Sequence, residues 1–213
     1  MPSAHQAAVP SSLSEKTSQW FDRASASLLG QLPCKAGCCR CCIGPFPITL
    51  FDYRQLRDAL SQLPREQRLA IHQQAVRQVG AMEALFPQLQ ASPFLDTWPD
   101  RLIDRLVDTF HDLPCPALDR EGRCLVYASR PLVCRSMGIP IEQADTVTGA
   151  CEVQTAVPIV RLSPTFREEE HRLAEEEARV LSELQAKTEE AGEELLLPYG
   201  FLPKPIQVSD SAT

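Results

Sequence analysis

Five of this chain's nine cysteines fall within nine positions, in the stretch CKAGCCRCC at residues 34–42. So dense a run of thiols leaves few ways to fold, because the sulfurs must be either cross-linked or held apart around something they bind. The opening residues carry no basic start followed by an apolar run. No window approaches the roughly 20 apolar residues of a membrane span. The expected setting is therefore the cytoplasm, where thiols stay reduced and a cysteine-dense chain holds metal rather than disulfides. The odd count of nine agrees. At 213 residues the chain is also long enough for one domain with its own apolar core, and needs no cross-links merely to fold.

The other four cysteines are Cys115, Cys124, Cys134 and Cys151. Thiolates are soft ligands that select zinc, iron or copper, and four of them around zinc close a tetrahedral site. Nine thiols in two groups suffice for two such sites with one left over. If the first segment is extended, Cys41 and Cys42 point to opposite sides and serve two ions or a polynuclear cluster. Lys35, Arg40, Arg123, Arg130 and Arg135 flank the cysteines. Their charge offsets the excess negative charge of metal-bound thiolates and eases thiol ionisation. Taken singly, Cys39 or Cys151 reads equally well as a small buried hydrophobe.

Around these segments the periodicity is helical. A short helix is expected from Ser14 to about Leu29. Tyr53, Leu56, Leu60 and Leu63 mark the apolar face of a second, ending at Pro64. Pro64 then opens a longer helix in which Ala75, Val79, Met82, Phe86 and Leu89 share a stripe. Pro99 starts another, with Leu102, Leu106 and Phe110 inward and Pro114 as its stop. Residues 114–160 show no helical period. Ser163 and Pro164 begin a long helix to about residue 190, with Phe166, Leu173, Val180 and Leu184 inward. The predicted fold class is mainly α, a helical framework carrying two cysteine-rich metal-binding loops, with little or no β. The expected organisation is a tail over 1–12, one domain over 13–200 with its acidic helix at 164–190, and a second tail over 201–213.

Charge narrows the partners. Between Arg167 and Glu194 eleven acids face four bases, so this stretch carries the whole net charge of −7. No basic patch suited to nucleic acid is left, and no membrane segment is expected. The acids read most simply as a solvated helix face, with a docking surface for a protein partner as the alternative.

The stretch CPALDREGRCLVYASRPLVCR, residues 115–135, resembles the YkgJ-like family of cysteine-cluster, zinc- or iron-chelating domains. The matching elements are Cys41-Cys42, Cys115-Pro116, Gly122 with Cys124, Tyr127, Arg130-Pro131 and Cys134-Arg135, with Cys151 downstream. The resemblance covers about residues 30–155. It departs from the family upstream, where Cys39 stands at the place of a glycine and becomes the candidate spare thiol. It implies a bacterial, cytoplasmic metal or iron–sulfur protein with no settled activity. The metal ligands expected are Cys34, Cys38, Cys41, Cys42, Cys115, Cys124, Cys134 and Cys151, with Arg130 and Arg135 around them. Gly122 would supply a turn of positive φ before Cys124, and Pro116 and Pro131 would stiffen the backbone beside Cys115 and Cys134.

Three functional readings stand. The first is a protein binding zinc or iron, an iron–sulfur cluster included, through thiolates of both loops. The second is an iron–sulfur oxidoreductase or methyl-transfer enzyme, since flagellin lysine-N-methylases carry a similar cysteine arrangement. The spacing C34-x3-C38-x2-C41 is also that of radical-SAM enzymes, but Arg40 stands where those place an aromatic residue, and no alternation of strands and helices follows. The third is a helical adaptor with purely structural zinc. Of the histidines only His111, four residues before Cys115, is a candidate ligand; His72 and His171 are expected on exposed helix faces. Ligand type does not separate zinc from iron.

Overall fold

The computed structural model describes residues 12–28, 38–143, 146–148, 161–186 and 192–203. The fold is mainly α. Its helices are α1 (Leu13–Ser27), α2 (Leu50–Gln62), α3 (Arg65–Leu85), α4 (Gln88–Ala91), α5 (Asp100–Thr109), α6 (Leu132–Ser136) and α7 (Pro164–Gln185). Strand structure among the described residues is confined to two short antiparallel pairs. One joins β1 (Pro47–Thr49) to β4 (Glu194–Leu196), with Ile48 opposite Leu195; the other is a hairpin of β2 (Ile141–Gln143) and β3 (Thr146–Thr148). That hairpin lies in the stretch where no period was legible.

Local chemistry starts these helices where the residue pattern expects them. Ser12 and Glu15 form a reciprocal capping box at the head of α1. The Thr49 hydroxyl accepts the Asp52 N–H and caps α2. Pro64 caps α3. The stripe Ala75, Val79, Met82, Phe86 and Leu89 is buried throughout, yet it does not lie on one helix. α3 stops at Leu85, and Phe86 takes φ −127°, ψ 78° because the following Pro87 disfavours the helical region. Leu89 then falls on α4. At the head of α7 Ser163 makes no side-chain cap bond, and Pro164 alone sets the first turn.

The main core gathers α2, α3, α4 and α5 around the segment 194–201. Leu195, Leu196, Leu197, Tyr199 and Phe201 are all buried there. Gly200 makes this insertion possible: a Cβ on it would lie 2.9 Å from Leu56 Cδ1 and 3.1 Å from Ile48 Cδ1. A second cluster packs Trp20 and Ala24 of α1, and Leu28 just after it, with Phe166 and Leu173 of α7.

The acidic face of α7 is only partly a solvated one. Lys16 bonds both carboxylate oxygens of Glu176, at 2.8 and 2.9 Å, and Arg23 pairs with Glu169, so α1 lies along this face. Glu177 accepts the Thr49 hydroxyl at 3.4 Å. Sequence pattern marks a polar face but not the neighbour that covers it. Leu181 of α7 is buried in the main core, and Leu184 packs against it.

Candidate metal centre

The two cysteine segments are joined backbone to backbone. Cys115 N–H donates to the Cys42 carbonyl at 2.7 Å, and Gly44 N–H donates to the Leu113 carbonyl at 2.7 Å. Gly44 takes φ +90° to make that turn. Residues Arg40–Cys42 form a 3-10 turn, closed by Cys42 N–H donating to the Cys39 carbonyl at 2.9 Å. The extended reading of this segment is therefore replaced. The tight turn brings the neighbouring side chains of Cys41 and Cys42 to the same cavity, where the Cys42 thiol favours ionisation of Cys41 and keeps its own proton.

The second segment folds back on itself. Leu125 N–H donates to the Ala117 carbonyl at 2.9 Å, which brings Cys115 and Cys124 to neighbouring legs of a short loop. Asp119 ties the tip by accepting the Glu121 and Arg123 N–H groups at 3.0 and 2.7 Å. Gly122 adopts φ +76° there, the turn expected of it. Pro131 caps α6, which carries Cys134.

A cavity of about 360 Å3 results, and Cys38, Cys41, Cys42, Cys115, Cys124 and Cys134 all line it. Its remaining wall is mostly apolar, from Phe46, Val126, Leu197 and Phe201, with Tyr127 and Arg130 beside the thiols. The seven described cysteines are free. Cys39 does not line the cavity. Cys34 and Cys151 lie outside the described residues.

The two arginines expected around the site differ in role. Arg130 lines the cavity, its guanidinium 4.1 Å above the Tyr127 ring. Arg135 does not line it. Arg135 is buried and donates to the carbonyls of Ala128 at 2.7 Å and Arg130 at 2.9 Å, and to the Ser18 hydroxyl, so it fixes the loop that presents Arg130. Arg123 is drawn off by Asp119 and Glu121, at 2.9 and 3.0 Å. His111 is exposed and away from the cavity, bonded to the Asp108 carbonyl at 2.7 Å and facing Asp112 at 3.3 Å. His72 is half-buried rather than exposed, its Nδ1 2.7 Å from the Phe201 carbonyl.

Ionisation differs sharply among the thiols. The hydrogen bond from Cys42 holds Cys41 down at about 6, with help from Arg130, while the same bond keeps the proton on Cys42. Burial pushes Cys115 up to about 12 and raises Cys124 and Cys134 as well. Cys41 thus ionises more readily than Cys42, Cys115, Cys124 and Cys134 beside it. Among the described residues no three Cys, His, Asp or Glu side chains stand in an arrangement that could hold a metal ion as they are. The six thiols share a cavity rather than a coordination sphere. Their softness and number suit zinc or iron.

Comparison with known families agrees with this donor set. A family model, CxxCxxCC, described as a "putative zinc- or iron-chelating domain", matches residues 33–152. The chain belongs to this family. Cys38, Cys41 and Cys42 reproduce the last three cysteines of the CxxCxxCC spacing, while Cys34 sits one residue further from Cys38 than that spacing has it. No curated protein and no solved structure matches the chain. No helix among the described residues is long and apolar enough to cross a membrane.

Several residues that shape the centre gave no signal in the sequence. Gln78, buried in α3, donates to the Pro114 carbonyl at 2.7 Å, next to Cys115. Asp52, buried in α2, accepts the Leu132 N–H that opens the Cys134 helix. Phe46, Leu197 and Phe201 reach the cavity only through the β1–β4 pairing and the turn after it.

Proposed function

We propose that this chain binds zinc or iron, an iron–sulfur centre included, through thiolates of both segments. Cys38, Cys41, Cys42, Cys115, Cys124 and Cys134 are the proposed ligands among the described residues, with Cys34 and Cys151 completing the set. The observation that carries the reading is the Cys42–Cys115 backbone bond, which brings thiols about 70 positions apart in sequence into one cavity. Metal would draw together sulfurs that share the cavity but do not yet surround a point, with Cys41 as the first thiolate to engage. Because Cys42, Cys115, Cys124 and Cys134 hold their protons, loading metal releases protons and strengthens as pH rises. Arg130 lies where it offsets the negative charge of the bound thiolates, and Arg135 keeps it there.

The test is elemental analysis with an absorption spectrum on protein prepared without oxygen. Zinc without colour, or iron with broad visible absorption, is the expected result. Protein that retains neither metal after reconstitution overturns the reading.

A further inference from the structure

The cavity is larger than a thiolate-bound ion requires. Such an ion lies about 2.3 Å from each sulfur, within the thiol cluster itself. The cavity encloses about 360 Å3, inside the range of roughly 300–1,000 Å3 typical of small-molecule pockets. Its composition is also that of such a pocket, a mostly apolar wall with a few placed polar groups. Phe46, Val126, Leu197 and Phe201 form an apolar surface beside the sulfurs. Tyr127 is 61% exposed and stacks under the Arg130 guanidinium.

Arg130 is the distinctive group of this wall. Arg123, the other cation there, already holds Asp119 and Glu121. Among the described residues no carboxylate pairs with Arg130, and its Nε, cut off from solvent, has no hydrogen-bond acceptor. Arg130 nevertheless lines the cavity, so an acceptor entering there meets a guanidinium whose hydrogen bonds are unfilled. The stacking on Tyr127 and the bonds of Arg135 to the Arg130 and Ala128 carbonyls hold the guanidinium in place before anything arrives.

The geometry points to a second ligand of the cysteine cavity: a small carboxylate with an apolar body. Its carboxylate is held by Arg130, and its body lies on Phe46, Val126, Leu197 and Phe201. This rests on the proposed metal centre for its setting but not for its contacts, which all belong to protein side chains. A guanidinium presents paired donors that match a carboxylate. The apolar wall then selects for a body that is not itself polar.

The reduced, full-length protein, zinc-loaded and metal-free, is titrated calorimetrically with phenylbutyrate and with its uncharged twin, phenylbutyramide. The acid is expected to saturate and to bind roughly tenfold or more tighter than the amide, the value of one charge-assisted hydrogen bond. Arg130→Met should erase that difference in the metal-free protein, where any change in zinc affinity that follows from losing its charge does not enter. Arg130→Lys keeps the charge but not the fork, and serves if the first variant does not fold; it should retain a weaker preference. Acid and amide binding alike, or neither saturating at millimolar concentration, overturns the inference. Zinc retained with no preference for the acid sinks this inference alone. A preference that persists in protein unable to keep zinc sinks the metal centre instead and leaves the carboxylate site standing.

Discussion

The carboxylate of Asp52, in the first turn of α2, accepts the backbone N–H of Leu132 at 2.7 Å across 80 residues of sequence. Leu132 is the first residue of α6, so an acid from the main helical core secures the helix that carries Cys134. Two further bonds do similar work. Gln78 holds the Pro114 carbonyl beside Cys115, and the Cys42 carbonyl accepts the Cys115 N–H. The thiols are thus placed by the helical framework before any ion draws on them.

Asp52 should make stability depend on pH. Burial lifts its carboxyl from 3.8 to about 7, with Glu177 adding repulsion and Arg135 opposing it. A carboxyl that holds its proton more tightly when folded stabilises the fold fully below its unfolded value, and that contribution is lost as pH rises through 7. Asp52→Asn keeps an acceptor for Leu132 without the charge. In urea unfolding, wild type should therefore lose ground to Asp52→Asn as pH rises from near 4 to above 7, by up to roughly 4 kcal/mol. A constant difference over that window refutes the assignment.

Cys41 should be the first thiol to react in metal-free protein. With its ionisation held near 6 by the Cys42 hydrogen bond and Arg130, it is largely thiolate at neutral pH, whereas burial keeps Cys115, Cys124 and Cys134 protonated. Brief alkylation followed by peptide mass spectrometry should label Cys41 ahead of these three. Cys42→Ala removes the donor and should slow that labelling severalfold at pH 7.

Serine substitutions sort ligands from bystanders. Cys42→Ser and Cys134→Ser should each lower the metal bound per chain, whereas Cys39→Ser, at a position that does not line the cavity, should leave it unchanged. Metal content unaltered in both of the first two would remove the ligand assignment.

The seam between the two segments depends on Gly44. Its φ of +90° is one that side-chain-bearing residues rarely adopt, and a Cβ there would stand 3.3 Å from the His111 carbonyl oxygen. Gly44→Ala should cost about 1–2 kcal/mol from the backbone strain. A lowered thermal midpoint together with faster zinc loss to a chelator is the expected signature. Gly80→Ala, on an open face of α3 where a Cβ meets nothing within 4 Å, is the control and should not destabilise.

Much of the framework was legible because it rests on local signals. Pro64, Pro99 and Ser163-Pro164 mark the starts of α3, α5 and α7, and apolar spacing marks the inner faces of α2, α3 and α5. The cysteine segments were equally plain, since no ordinary core calls for that spacing. Less visible were features that depend on a distant partner. The turn at Arg40–Cys42, the covering of the α7 acids by Lys16 and Arg23, and the insertion of Leu195–Phe201 into the core each need a neighbour supplied by another part of the chain. Asp52 and Gln78 look in sequence like any polar residue on a helix.

By itself, the sequence determined that the protein is a helical framework bearing two groups of soft donors, because helix periodicity, caps and thiol chemistry are properties of residues and their near neighbours. Only the tertiary structure decided that six of those thiols face one cavity, that Cys41 and Cys42 turn to the same side, and that Arg130 sits there with a donor to spare. Those outcomes follow from the hydrogen bonds that join Cys42 to Cys115, Asp52 to Leu132 and Arg135 to the loop before it, contacts between positions that no local pattern relates.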